Sequence, residues 1–113
     1  MKQVVVIPAR MSGTRLPGKP LIKINGKPII LHVYNQCAKV INKEMIYVAT
    51  EDNEIVNYCR NNNINVVNTG RASSAINRIK LFSDTVNADS YINVQGDEPI
   101  VNPLDIKSLL EYN

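Results

Sequence analysis

Apolar residues in this chain gather in short runs, separated by segments whose apolar positions recur at helical spacing. The runs "QVVVIP" at residues 3–8, "MIYVAT" at 45–50, "INVVN" at 64–68 and "SYINVQ" at 90–95 read as four buried strands. Between the first two lies "KPIILHVYNQCAKVI", residues 27–41, with Ile30, Val33, Cys37 and Val40 on one helical face and Pro28 at the first turn. "EDNEIVNYCRNNN", residues 51–63, is a second helix with Asp52 at its N-cap, residues 73–86 form a third, and "PLDIKSLLEY", residues 103–112, a last one. Short apolar strands alternating with helices predict right-handed βαβ units on a parallel sheet. Such sheets take ligands at the carboxyl ends of their strands. The loops to read for chemistry are therefore 8–20, 50–52, 69–78 and 96–99.

Composition narrows the class. A chain of 113 residues, 44% hydrophobic, predicts one domain with a real core. It has no apolar run near the ~18 residues of a membrane span, and its start lacks the small-residue cleavage signature of a secretory signal. Cys37 and Cys59 have no metal-ligand spacing and read as reduced core thiols of a cytoplasmic protein rather than a disulfide. Residues 1–43 hold eight Lys or Arg and no acid, whereas the remainder holds five basic residues and all ten acids. A positive segment folded beside a negative one suits a metal–polyphosphate ligand, and equally a solvated basic face. Nucleic-acid binding is disfavoured, because a single Phe and five Tyr supply no stacking motif.

Residues 13–19, "GTRLPGK", have the Walker A spacing, but Pro20 stands where that motif needs Ser or Thr. The segment that follows, "LIKINGKP", alternates like an extended piece and turns at Asn25–Gly26 instead of entering a helix. A P-loop is rejected on both counts. The loop still has what phosphate requires: Gly13 and Gly18 to turn backbone N–H groups toward an anion, Arg10 and Arg15 as forked donors, and Lys19 as a point charge. Pro17 and Pro20 stiffen it. The alternative is a glycine-rich surface loop whose cations sit in water. In "NVQGDEP", residues 93–99, Asp97 can coordinate Mg²⁺ and Gln95 can hydrogen-bond a ligand hydroxyl, or the acids merely cap the turn before Pro99.

"IPARMSGTRLPGKPL", "GKPIILHVY", "VAT" with a nearby acid and "YINVQGDEPIV" together resemble the CMP-KDO synthetase (3-deoxy-manno-octulosonate cytidylyltransferase) family, in order and over nearly the whole chain. CMP-sialic acid synthetases differ in the first loop. A spore-coat polysaccharide cytidylyltransferase group shares the first loop and is the nearest rival, with "VQGDEP" favouring the KDO family. The resemblance implies a Rossmann-like, three-layer nucleotide-diphospho-sugar transferase fold with a mostly parallel sheet. It implies transfer of CMP from CTP to a KDO-like sugar acid with Mg²⁺, releasing pyrophosphate, as in cytoplasmic lipopolysaccharide biosynthesis, with no nucleic-acid or membrane partner. Under the same resemblance Arg10 and Lys19 grip the triphosphate with help from Arg15. Asp97 is a metal ligand, Gln95 lies near the ribose and sugar acid, and the backbone at Pro8 and Ala9 faces the cytosine.

The family's third loop, His-x-Ser-Gly-Thr-Asp/Glu-Arg, helps to hold the nucleotide base; in "ASSAINR" it survives only as Ser74 and Arg78, which the resemblance makes nucleotide-binding, with Ala75 in place of the glycine. If that position needs a positive φ, Ala75 costs about 1 kcal/mol or reshapes the loop. Family members are roughly twice as long, so residues 1–113 are expected to form one nucleotide-binding domain, the N-terminal half of a truncated family fold. An open sheet edge then predicts self-association as a homodimer. A non-catalytic nucleotide-binding remnant is the competing expectation.

Overall fold

The computed structural model describes residues 2–11 and 18–95. Its centre is β1 (Gln3–Pro8), in which Val4, Val5, Val6 and Ile7 are all completely buried. A strand covered on both faces has no use for alternation, which is why this one reads as an unbroken apolar run. β1 is flanked in parallel by β4 (Ile46–Thr50) on one side and β6 (Ser90–Asn93) on the other, and β5 (Asn65–Asn68) extends the sheet beyond β4. The order β5-β4-β1-β6 means that the chain winds outward through β4 and β5, then crosses back over β1 to form β6.

The helices fall on both faces. α1 (Ile29–Ala38) and α2 (Asn53–Asn61) pack Ile30, Val33, Cys37, Ile55 and Cys59 against Val5 and Ile7. α3 (Ala75–Thr85) covers the opposite face, where Phe82 packs with Val4 and Val6 and meets Tyr47 and Tyr91 edge-on at centroid distances of 5.4 and 6.1 Å. Successive side chains of β1 thus feed opposite layers, giving the expected three-layer α/β architecture. The segment after the basic loop is a short hairpin, β2 (Lys23–Ile24) with antiparallel β3 (Lys27–Pro28). Its turn residues Asn25 and Gly26 have φ of 54° and 80°, the paired left-handed geometry of a type I′ turn. Pro28 sits at the N-cap of α1, one position earlier than the sequence pattern suggests, because its fixed φ of −57° closes the hairpin and starts the helix at once. Two 3₁₀ turns, Lys19–Leu21 and Lys43–Met45, were not evident from periodicity, as three residues are too few to show one. The expected helix at 103–112 lies outside the described residues. No helix among the described residues is long and apolar enough to cross a membrane.

Cys37 and Cys59 are free, buried thiols, each with its pKa pushed up to about 12 by burial. Burial also raises Tyr34 and Tyr58. In every case the unfolded chain gives up its proton first, so the folded state binds more protons at alkaline pH and stability falls as pH rises. For the thiols this contribution is intact below about pH 9 and is lost progressively toward about pH 12. Urea unfolding between pH 8 and 11 is expected to show declining stability, with a shallower decline in Cys59→Ala. An identical slope in that variant would exclude Cys59 as a source.

Candidate nucleotide site

The site is built where the strand order reverses. β1 ends with Ala9 N–H donating to Ala49 O at 3.0 Å, and β6 ends with Val94 N–H donating to Val6 O at 3.0 Å. Pro8 and Ala9 are buried, whereas Arg10 and Gln95 are exposed just beyond them. The start of the basic loop and the start of "VQGDEP" therefore leave neighbouring strands side by side, at the crevice such sheets offer ligands.

Beyond Ala9 the chain leaves the sheet, and its next backbone donor finds a side chain: Met11 N–H donates to Asp52 Oδ2 at 2.9 Å. Met11 O in turn accepts from Gly18 N–H at 2.7 Å, which closes the two described ends of the basic loop onto each other. Gly18 has φ of 78°, a left-handed conformation that strains any residue with a Cβ, and it caps the Lys19–Leu21 turn. Arg10 and Lys19, nine positions apart in sequence, thus flank one closed junction. Arg15 lies outside the described residues, as does Asp97.

Asp52 occupies the N-cap position of α2 as its sequence context suggests, but its side chain does not cap the helix. Ile55 and Val56 N–H bond the Asp52 carbonyl, and the carboxylate reaches back to Met11. Its own N–H donates to Oγ1 of the fully buried Thr50 at 3.1 Å.

The third loop is organised by Arg78. This residue is only 3% exposed, and Nη2 pairs with Glu51 Oε1 at 3.1 Å. Nη1 donates to Thr69 Oγ1 at 2.9 Å and to Gly70 O at 3.1 Å. One guanidinium therefore joins the ends of β4 and β5 to the first turns of α3. Ser74 Oγ accepts from Asn77 N–H at 3.1 Å as the N-cap of α3. Ala75 is the first helical residue, and among the described residues the only non-glycines with positive φ are Asn25 and Asn63. The substitution for glycine thus carries no backbone strain here, because the helix begins at that position. The sequence expectation placed Ser74 and Arg78 beside the nucleotide base. In the structure both are engaged in shaping the loop, and Ser74 is exposed whereas Arg78 is not.

Among the described residues no group of three His, Cys, Asp or Glu could hold a metal. Among the described residues, the two carboxylates that follow β4 are engaged by protein donors, Glu51 by Arg78 and Asp52 by Met11 N–H.

A parallel α/β sheet with a cationic loop closed at its reversal point has the architecture of a nucleotide-binding protein. The chain belongs to the cytidylyltransferase family, whose model matches residues 4–113. It is 40% identical over 111 residues to the 3-deoxy-manno-octulosonate cytidylyltransferase of Escherichia coli, covering 97% of this chain and 45% of that protein. It is 41% identical over 118 residues to an 8-amino-3,8-dideoxy-manno-octulosonate cytidylyltransferase of Shewanella halifaxensis, covering 97% and 46% respectively. Among solved structures it is similar to a CMP:2-keto-3-deoxy-manno-octonic acid synthetase complexed with CTP, with a TM-score of 0.93 and 40% identity across 99% of this chain and 47% of that one. A Leptospira borgpetersenii cytidylyltransferase matches with a TM-score of 0.87 and 25% identity, over 100% of this chain and 49% of that one. The chain spans about half the length of the curated relatives it matches.

Proposed function

We propose that this chain binds CTP at the carboxyl ends of β1 and β6 and contributes that site to the transfer of CMP to a sugar acid of the KDO kind. The observation that carries the reading is the closed junction of Met11 O with Gly18 N–H, which joins the backbone next to Arg10 to the backbone next to Lys19. The reading is supported by relatives named as cytidylyltransferases acting on octulosonates and by a similar structure holding CTP. In the proposed reaction a hydroxyl of the sugar acid attacks the α-phosphorus. A new P–O bond forms, the bond to pyrophosphate breaks, and the hydroxyl proton is lost. Negative charge on the triphosphate oxygens rises as pyrophosphate leaves, and Arg10 and Lys19 are proposed to stabilise it. Arg15 is proposed to assist them, Gln95 to face the ribose and acceptor, and the backbone at Pro8 and Ala9 to face the base. Ser74 and Arg78 shape the base-side loop. Mg²⁺ fits the chemistry of a single carboxylate together with phosphate oxygens, and Asp97 is the proposed ligand; when bound, the ion would draw charge from the triphosphate. The proposal includes a cytoplasmic homodimer.

A second reading, a nucleotide-binding chain without turnover, is favoured by the third loop, where Ile76 is 67% exposed in place of the family's threonine. Incubation of the chain with CTP, KDO and Mg²⁺, followed by a pyrophosphate assay, separates the two. Pyrophosphate release dependent on KDO is expected. CTP binding without release would leave the second reading, and absence of both would overturn the proposal.

A further inference from the structure

We infer that Asp52 is a positioning residue for the cation pair Arg10 and Lys19, acting through the Met11 amide; this rests on the nucleotide reading of the site. Arg10 lies between two backbone anchors, Ala9 N–H on Ala49 O and Met11 N–H on Asp52 Oδ2. Lys19 is fixed in the same manner, since Gly18 N–H holds Met11 O, Leu21 N–H holds Gly18 O and Ile22 N–H holds Lys19 O. Both cations therefore hang from the Met11 backbone, Arg10 by its N–H side and Lys19 by its C=O side, and the Asp52 carboxylate is the side-chain support on the N–H.

That support is stiff. The Asp52 backbone is bonded on one side to Thr50 Oγ1 and on the other to the first turn of α2. A carboxylate accepting an N–H at 2.9 Å is a charge-assisted bond, stronger than its neutral counterpart. A nearby carboxylate repels triphosphate, so on Coulomb grounds alone its removal would tighten binding. Its placement beside a phosphate site is explained by the geometry it imposes. Because the side chain does not cap α2, its truncation leaves the helix end as it was.

The test is calorimetric titration with CTP of the wild-type chain, Asp52→Ala and Asp52→Asn, with amide exchange at Met11 and thermal melting of each. Asn keeps an acceptor oxygen in the same position. Asp52→Ala is expected to weaken CTP binding about tenfold or more, with rapid exchange at Met11 and a melting point lowered by several degrees in a chain that still unfolds cooperatively. Asp52→Asn is expected to restore most of the affinity. Equal CTP affinity in wild type and Asp52→Ala would overturn the inference. So would Asp52→Asn losing as much as Asp52→Ala together with any magnesium dependence, which would make the carboxylate a cation ligand. No CTP binding by the wild-type chain would instead refute the nucleotide reading, and the inference with it.

Discussion

Replacing Glu51 with Ala is expected to destabilise the chain by about 2–3 kcal/mol, a large share of the stability of a small domain. The cause is the asymmetry of the pair. Arg78 is 3% exposed and always charged, so without Glu51 its guanidinium stays buried facing only the neutral acceptors Thr69 and Gly70. Uncompensated buried charge typically costs about 3–5 kcal/mol. The lower figure applies because the Glu51 side chain is 28% exposed, so water can enter the space it leaves. Arg78→Met removes the charge rather than stranding it, so the double variant Glu51→Leu/Arg78→Met is expected to recover part of the loss. Urea unfolding at constant m-value measures each. A loss under about 0.5 kcal/mol in Glu51→Ala would mean the pair is not a structural node.

Arg10→Ala and Lys19→Ala are each expected to weaken CTP binding about 10–100-fold while shifting stability by no more than about 0.5 kcal/mol. A charge-assisted bond to phosphate is worth about 1.5–3 kcal/mol. Arg10 is exposed and Lys19 half-buried, so neither belongs to the core on which folding depends. Lys19→Arg is expected to recover only part of the affinity, since a planar fork replaces a compact ammonium. Calorimetry for affinity and melting for stability read the two effects separately. A variant with wild-type affinity would place that cation outside the site.

The sheet was legible because its signal is local. Val4 to Ile7 reads as a doubly covered strand from composition alone, and Ile30, Val33 and Cys37 fall at helical spacing. The hairpin announced itself through Asn25–Gly26, the one dipeptide whose conformational freedom the turn demands. The wiring between loops was not legible. Asp52 meets Met11 across 41 positions, and Glu51 meets Arg78 across 27. No periodicity links such pairs, so Asp52 read as a helix cap and Arg78 as a cation facing ligand. Adjacent acids at the end of β4 turn to different loops, Glu51 to the third and Asp52 to the first, and only the fold shows it. Ala75 illustrates the same limit in reverse: a departure from the family motif that suggested strain falls on the first residue of a helix, a right-handed conformation that any residue with a Cβ adopts without strain.

The loops after β1 and β6 are proposed to form a site for CTP. Calorimetric titration of the chain with CTP, with and without Mg²⁺ and beside ATP, tests this most directly. Saturable binding that favours CTP over ATP and strengthens with Mg²⁺ is expected. No binding of either nucleotide would contradict the proposal.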